Sequence, residues 1–295
     1  MSRAAHELDY EGTFVYLHDK QMLAMHITHD VDEQGEHEHL VSLNGTGEVT
    51  LNNNSMVSLL PGQSTTTVRG LPRKSFPEAL ANGIGELEKY YDFTLQGKRQ
   101  VAGRLTQKIT VKPKDNYRYG YRLWIDEVSG LLLKAEMLNE SGVPVEQVMF
   151  TEVKLRSGGA APIGESAATI AGTARAEQKN EIDLSSQQQP LTGAVTAVDD
   201  PEWHIQAMPE GFRVAEHNRY TMPTNQMPVE HIVLTDGLAS VSVFIEKFDP
   251  KNKFTGTSHR GAVNAYGTVS DGHQITLLGE VPAAAVQLIG QSIKH

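Results

Sequence analysis

The 295-residue sequence contains no cysteine, which excludes a set of covalent and metal-bound structures. Without thiols there is no disulfide framework, no thiolate zinc site, no iron–sulfur cluster and no cysteine nucleophile. Long apolar runs are missing as well, because no stretch reaches the roughly 18 consecutive apolar residues typical of a membrane-spanning helix.

A surplus of basic residues is also lacking. The 26 Lys and Arg residues are outnumbered by 36 Asp and Glu residues, which gives a net charge of -10. Nucleic-acid binding needs basic residues to displace counterions, so we expect no nucleic-acid partner. A hydrophobic content of 39% is enough for a packed core, and the length suits about two domains.

The start of the chain has no charged n-region with an apolar core behind it, as a secretory signal peptide would have. Residues 4–9 instead resemble the last turns of a helix that begins without a cap. We therefore expect an upstream piece before Met1, which makes the missing signal weak grounds for a cytoplasmic location.

Short strands dominate the first half of the sequence. Between Tyr10 and Leu155, runs of aromatic and β-branched residues are separated by turn residues, at roughly the 8–12 residue spacing of a meandering antiparallel sheet. Apolar residues at helical spacing predict one helix over Pro77–Tyr91. We predict a β-rich domain over residues 1–156.

The composition changes after this domain. Residues 157–202 contain no aromatic residue and include a Ser/Gln run, so they are predicted to be a flexible linker. Further strands follow from Trp203, with a two-residue hairpin at Asp236-Gly237 and a helix over Pro282–Ile293. A smaller α+β domain is therefore predicted at residues 203–295, and the fold class as a whole is α+β.

Catalytic motifs are absent from the sequence. There is no phosphate-binding loop and no G-x-G-x-x-G, and Gly256–Arg260 ends in Arg where a nucleophile elbow needs Gly. We therefore expect no enzyme, no catalytic residue and no cofactor. A hydrolase with dispersed catalytic residues is an alternative, and it would require a buried His–carboxylate pair in a cleft.

Four histidines are the best candidates for metal binding, since His26, His29, His37 and His39 fall within fourteen positions. On strands, His37 and His39 share one face, whereas His26 and His29 face opposite ways. Metal binding needs imidazoles that converge on one point, so the pattern favours a solvated hairpin, and no metal site is predicted.

A local reversal of charge is the most informative feature for binding. Between Lys98 and Arg122 there are eight basic residues and one acidic residue, a net charge of +7 that leaves -17 for the rest of the chain. Strand alternation places Arg104, Lys108 and Lys112 on one face, opposite Leu105, Ile109 and Val111.

On the following strand, alternation separates tyrosines from basic residues. Arg118, Arg122 and Trp124 are predicted to lie on the basic face, while Tyr117, Tyr119 and Tyr121 lie on the apolar face. One interpretation is a solvated outer face over an ordinary core; the other is a surface for lipid phosphates or an acidic peptide. The candidate binding residues are Arg104, Lys108, Lys112, Arg118, Arg122, Tyr117, Tyr119, Tyr121 and Trp124.

Several motifs, in order along both predicted domains, resemble the MucB/RseB family. In the first domain they are Tyr10–Tyr16 (YEGTFVY), Tyr90–Phe93 (YYDF), Arg99–Arg104 (RQVAGR), Tyr117–Tyr121 (YRYGY) and Gly130–Lys134 (GLLLK). In the second they are Trp203 with Met208–Phe212 (MPEGF), Met227–Glu230 (MPVE), Asp236–Ile245 (DGLASVSVFI) and Gly279–Pro282 (GEVP). No motif falls in the predicted linker.

The resemblance implies a regulator without catalysis. It implies a LolA/LolB-like antiparallel half-barrel with helices, a linker, and a smaller domain that binds the partner. The partner would be the periplasmic domain of a MucA/RseA-type anti-sigma factor, which is shielded from site-1 proteolysis so that the envelope-stress sigma factor stays silent.

The same resemblance implies a location in the periplasm, peripheral to the inner membrane through the partner, and release by lipopolysaccharide or another lipid. A homo-oligomer is compatible with this reading. The alternative is a periplasmic lipid or lipoprotein carrier or chaperone, although a pure carrier has no need of the unit that follows Trp203. The family supplies no motif-level ligand residues, so the candidate site rests on the basic and tyrosine strands.

Overall fold

The computed structural model shows two antiparallel sheets and few helices. It describes residues 4, 7–18, 21–33, 35–44, 48–52, 55–59, 66–69, 84–156, 196–198, 202–221 and 227–295. The helices in these ranges include α1 (Ile84–Leu87) and α2 (Ala283–Gln291), with a 3-10 turn at Pro250–Asn252. Neither α1 nor α2, nor any other helix in the described ranges, has the length and apolar character needed to cross a membrane.

Eleven strands form the large sheet and seven form the small sheet. The large sheet contains β1 (Tyr10–His18), β2 (Gln21–Asp32), β3 (Gly35–Ser42), β4 (Glu48–Asn52), β5 (Ser55–Leu59), β6 (Thr66–Arg69), β7 (Tyr91–Val101), β8 (Arg104–Pro113), β9 (Gly120–Asp126), β10 (Leu132–Leu138) and β11 (Pro144–Leu155). The small sheet contains β12 (Thr196–Ala197), β14 (Arg213–Thr221), β15 (Pro228–Thr235), β16 (Ser240–Lys247), β17 (Gly256–Arg260), β18 (Val263–Ser270) and β19 (His273–Gly279). A separate two-stranded pair is formed by β13 (His204–Ile205) and β20 (Ile293–Lys294).

The large sheet consists of two meanders, β1–β6 and β7–β11, in which each strand pairs with the next along the chain. They join where β1 pairs with β11, with His18 opposite Glu146. Glycines at positive φ support the tight turns, with Gly130 at +75° and Gly142 at +73°. The meandering antiparallel sheet predicted from the spacing of turn residues is confirmed for the described strands.

Strand alternation gives the large sheet two distinct faces. The inner face carries Val111, Tyr121 and Leu123, which pack with Leu87 of α1. The outer face carries the side chains that alternate with these, among them Trp124.

In the small sheet, α2 packs on β18 and β19 and buries Val286 and Ile289 in a shared apolar core. The predicted hairpin at Asp236-Gly237 is confirmed. Its loop is longer than two residues, because the Asp236 Oδ1 atom accepts the N–H groups of Leu238 and Ala239 at 2.8 and 2.7 Å. This Asx turn extends the connection before β16 begins.

Two predicted segments lie partly outside the described residues. Of the helix predicted over Pro77–Tyr91, the structure describes α1 and the turn that follows it, and Tyr91 already belongs to β7. Of the predicted linker over 157–202, the structure describes residues 196–198 and 202, and residues 157–195 and 199–201 lie outside the described ranges. The helices expected over the half-barrel are represented by α1 within the described part of the first 156 residues.

The predicted C-terminal helix is shorter than expected. It ends at Gln291, because Ile293 leaves the helix to pair with Ile205. A two-residue strand has too little periodicity to be read from sequence.

Candidate functional site

Three side chains lie side by side on the outer face of the large sheet. Lys108 on β8 is opposite Trp124 on β9, which is opposite Lys134 on β10. The two ammonium groups lie 5.3 Å (Lys108) and 4.5 Å (Lys134) from the centre of the Trp124 ring. Ammonium groups at this distance are attracted by the negative face of an indole. The predicted sharing of one face by Lys108 and Trp124 is confirmed.

Carboxylates from neighbouring strands neutralise part of this face. Arg104 donates from Nε and Nη2 to the two oxygens of Asp126, at 3.0 and 2.9 Å. Glu136 accepts a hydrogen bond from Arg122 at 3.0 Å and forms an ion pair with Lys134 at 2.8 Å. Strand alternation along β9 already predicts Asp126 on the same face as Arg122 and Trp124. Glu136 was not predicted there, because strand pairing brings it in from β10.

These contacts keep the two acids ionised. Burial raises the pKa of Asp126, but hydrogen bonds from Arg104 and Ser129 outweigh it and lower the pKa to about 2. Burial also raises the pKa of Glu136, but the hydrogen bonds and charges of Lys134 and Arg122 outweigh it and lower that pKa below its usual value. Strands β8–β10 therefore carry five basic residues against two carboxylates, all on the outer face.

Lys108 and Lys112 are the basic residues left for an external anion. Neither has a carboxylate within ion-pair distance in the part of the chain that the structure describes. Lys112 is exposed and Lys108 is half-buried. Asp92 on β7 lies opposite Lys112, but its carboxylate pairs with Lys114 at 3.5 Å. Lys108 and Lys112 therefore keep charges that suit phosphate or carboxylate groups.

The predicted tyrosine surface is covered by the small sheet and the elements around it. Tyr119 is 5% exposed, and its hydroxyl accepts a hydrogen bond from Asn264 on β18 at 2.9 Å. Tyr117 packs against the core of the small sheet, and Tyr121 packs with residues that include Leu238 of the β15–β16 loop. Burial raises the pKa of Tyr119 to about 12. Tyr121 thus lies on the apolar face with Leu123, as predicted, and the candidate binding tyrosines are covered by protein.

Arg118 was predicted on the basic face and lies elsewhere. Strand β9 begins only at Gly120, so strand alternation does not extend to Arg118, which sits in the preceding loop and is 1% exposed. Its Nε donates to the Asp236 carboxylate at 2.6 Å, and its terminal nitrogens donate to Asp115 and to the Glu210 carbonyl. Arg118 thus joins the two sheets.

Aromatic groups enclose the Arg118 guanidinium. Its central carbon lies 4.9 Å from the Tyr90 ring centre and 5.1 Å from that of Phe212. The Tyr91 hydroxyl donates to the same Asp236 carboxylate at 3.0 Å. A buried charge is tolerated when it is paired and hydrogen-bonded, and both conditions are met here. The junction is defined as Tyr90, Tyr91, Asp115, Arg118, Glu210, Phe212 and Asp236.

Four of the motifs that carry the family resemblance meet at the junction. They are Tyr90–Phe93, Tyr117–Tyr121, Met208–Phe212 and Asp236–Ile245. Within the third motif, Gly211 has φ +85°, and a Cβ atom there would collide with the Tyr90 ring. Sequence reasoning gave Asp236 only a turn role, since nothing in a linear pattern places it beside Arg118.

The four histidines proposed as metal candidates have separate partners. His29 hydrogen-bonds the Leu8 carbonyl at 2.9 Å and stacks on Tyr10, whereas His37 pairs with Asp32 at 3.2 Å. Within the described ranges, no group of three His, Asp or Glu side chains could hold a metal ion.

A partly buried His–carboxylate pair occurs between β14 and β15, whereas the hydrolase alternative requires a buried one in a cleft. His217 Nε2 lies 2.6 Å from a Glu230 oxygen. Arg219 occupies the second oxygen of Glu230 at 3.0 Å. The three side chains form an ion-pair network between adjacent strands, which is a structural arrangement and supplies no nucleophile.

Comparison with known protein families matches both parts of the chain. The model for the MucB/RseB N-terminal domain matches residues 1–180, and the model for the MucB/RseB C-terminal domain matches residues 197–294. Together they cover nearly the whole sequence.

Curated relatives and solved structures agree with this match. The sigma-E factor regulatory protein RseB of Haemophilus influenzae is 25% identical over all of this chain and 89% of its own length. The sigma factor AlgU regulatory protein MucB of Pseudomonas aeruginosa is 26% identical over all of this chain and 88% of its own. The structure of the Pseudomonas aeruginosa MucA/MucB complex aligns with 99% of this chain and 95% of its own, at a TM-score of 0.71 and 27% identity. A structure of MucB in complex with MucA(peri) aligns over the same shares with a TM-score of 0.70.

Proposed function

Because the chain belongs to the MucB/RseB family, we propose that it is a regulator that binds the periplasmic region of a membrane anti-sigma factor. By binding, it protects that region from site-1 proteolysis and so restrains an envelope-stress sigma factor. It acts in the periplasm and catalyses no reaction. A stable complex is sufficient for this role, since masking a cleavage site needs no acid, base or nucleophile.

One observation carries the proposal: the structure of MucB bound to MucA aligns with nearly the whole of this chain. The alignment spans both sheets, and the junction that links them is built from motifs on which the resemblance to the family rests. A carrier built only on the large sheet would not need the second unit or the junction.

We place the partner-binding domain at residues 203–295 and the large half-barrel domain at residues 1–156, joined by a linker over 157–202. The junction supports this division of labour, because Arg118 and Asp236 hold the small sheet against the inner face of the large sheet. We place the contact for a lipid that releases the partner on the outer face, at Arg104, Lys108, Lys112 and Arg122, whereas the Trp124 ring beneath them is only 8% exposed and packs in a core cluster.

A protection assay tests the partner. The full chain is mixed with a periplasmic anti-sigma fragment and the site-1 protease, and cleavage is followed with time. We expect cleavage to slow at least tenfold at saturating protein. Equal rates with and without the protein would refute the proposal.

Hydrogen exchange of the same complex tests where the partner binds. Amide exchange is expected to slow within residues 203–295. Slowing confined to residues 10–155 would move the contact to the large sheet while leaving the regulatory role intact.

A further inference from the structure

Cross-strand pairing arranges the outer face into rows that run across seven strands. In one row Ala24, Val15 and Met149 lie directly opposite one another on β2, β1 and β11. Leu43, the residue that follows β3, adds a further position to this row, because its N–H donates to the Ala24 carbonyl at 2.7 Å. The row continues from Met149 through the Lys134, Trp124 and Lys108 series already described.

A second row runs beside the first. Met22 is opposite Leu17, which is opposite Gln147 on β11. Gln147 is opposite Glu136, which is opposite Arg122. The first row changes from apolar to charged between Met149 and Lys134, and in the second row the polar Gln147 separates Leu17 from the charged Glu136.

The outer face is therefore divided into an apolar half and a cationic half. The apolar half is Val15, Leu17, Met22, Ala24, Leu43 and Met149. The cationic half is Arg104, Lys108, Lys112, Arg122 and Lys134, with Lys108 and Lys134 over the buried ring of Trp124. At about 4.8 Å between strands, the seven-strand row spans roughly 29 Å.

The apolar half is exposed to an extent that packing does not explain. Leu17, Met22 and Leu43 are 43%, 61% and 51% exposed. They are neighbours on one face, whereas isolated exposed apolar residues are common on any protein. A contiguous apolar patch with cations beside it is typical of a surface that contacts a membrane interface.

We propose that the outer face of the large sheet docks directly onto an anionic lipid bilayer. Leu17, Met22 and Leu43 enter the headgroup region, while Lys108 and Lys112 contact lipid phosphates. Charge complementarity selects this occupant, because the cationic half has three more basic than acidic side chains and its two unpaired lysines match a negative surface. An acidic peptide would satisfy the lysines but would leave the three apolar side chains in water.

This inference goes beyond the proposed function, because docking requires no anti-sigma factor. It places the junction and the small sheet on the side of the large sheet that faces away from the bilayer. The partner-binding unit thus stays accessible while the protein is held at the membrane.

Vesicle co-sedimentation of the full chain, without any partner, tests the inference. Vesicles of phosphatidylcholine with about 30% phosphatidylglycerol are compared with vesicles of phosphatidylcholine alone. We expect binding to the anionic vesicles that weakens with added salt, since exposed charges are screened. No binding to the anionic vesicles would overturn the inference.

Two sets of variants separate the halves of the face. The changes Leu17→Ser, Met22→Ser and Leu43→Ser together are expected to weaken vesicle binding at least tenfold, with Leu95→Ser as a control at an exposed leucine on β7. Lys108→Gln with Lys112→Gln is expected to weaken binding about 10- to 30-fold. Lys251→Gln with Lys253→Gln, two exposed lysines on the small unit, is the matched control.

All substituted apolar side chains are exposed, so we expect these variants to fold like the wild type. Circular dichroism checks that they do. Unchanged vesicle binding in either outer-face set, or an equal loss in its control, would overturn the inference. Loss of vesicle binding with retained protection of the anti-sigma fragment would support docking separately from the regulatory role.

Discussion

The Arg118 guanidinium is buried among aromatic rings such as that of Tyr90. Its Nε donates to Asp236, and its terminal nitrogens donate to Asp115 and to a backbone carbonyl. Replacing a buried ion pair by apolar residues is often neutral, whereas removing one partner is costly. The pair of Arg118 and Asp236 therefore matters chiefly because it fixes which surfaces meet. A different docking that still buried Arg118 or Asp236 would leave its charge unpaired.

Gly211 provides a prediction at the scale of one residue. The change Gly211→Ala combines an unfavourable φ of +85° with a collision between the new Cβ and the Tyr90 ring. We expect a loss of about 3 kcal/mol in the free energy of unfolding, measured by urea denaturation, from backbone strain and overpacking together.

Gly256 is the matched control, since its φ is +89° and a Cβ there meets nothing within 4 Å. Gly256→Ala is expected to cost about 1 kcal/mol, from the backbone alone. Equal losses at the two sites would show that the Tyr90 contact contributes nothing.

Strands β8 and β9 show how far alternation predicts a surface. The predicted separation of Lys108 from Ile109, and of Trp124 from Leu123, is confirmed because each pair lies within a regular strand. The prediction failed at Arg118, because the bends before Gly120 interrupt the period of two. A short loop between strands cannot be distinguished from a continued strand by residue pattern alone.

The ion pair between β8 and β9 gives a prediction at the scale of these elements. An Asp in the unfolded chain has a pKa near 3.8, and in the folded protein hydrogen bonds hold the pKa of Asp126 at about 2 despite burial. The ionised Asp126 carboxylate therefore stabilises the folded protein fully above about pH 4, and this contribution is lost as the pH falls toward about 2. We expect Asp126→Asn to cost about 2 kcal/mol at pH 7.

Urea unfolding at pH 7, 4 and 2.5 measures this effect, and the difference between the wild type and Asp126→Asn should shrink at the lowest pH. Asp92→Asn is the control, because Asp92 is exposed and pairs with Lys114 only at 3.5 Å. A cost for Asp126→Asn that stays constant with pH would argue against an ion-pair origin.

At the scale of the molecule, the sequence predicted two units but not how they dock. Turn spacing and strand periodicity are local properties, so they identified most strands on both sides of the linker. The contact between the units depends on Asp236, more than a hundred positions from Arg118, and no local pattern joins the two. The tyrosines of the 117–121 motif were assigned to a ligand surface for the same reason.

The junction predicts that the two units unfold together. Calorimetry of the full chain is expected to show one cooperative transition. Asp236→Asn removes the charge but keeps the oxygen that caps the β15–β16 loop, and it should lower stability by about 3 kcal/mol or split the transition in two.

A double-mutant cycle measures the coupling between Arg118 and Asp236, and it uses Arg118→Met, Asp236→Asn and the variant that carries both changes. The double variant should cost less than the sum of the single changes, because neither charge is then left buried alone. Strict additivity, with a single unchanged transition, would show that the pair does not couple the units.

The pairing of β1 with β11 has a consequence for how the chain reaches this structure. Every other pairing among the described strands of the large sheet joins consecutive strands, whereas His18 meets Glu146 across 128 positions. Each meander can assemble from local hairpins. Pairing β1 with β11, the seam between the meanders, then costs the conformational entropy of closing a very long loop. Folding kinetics should therefore be limited by the docking of two preformed meanders, and a chain cut between β6 and β7 should yield fragments that reassemble along the seam.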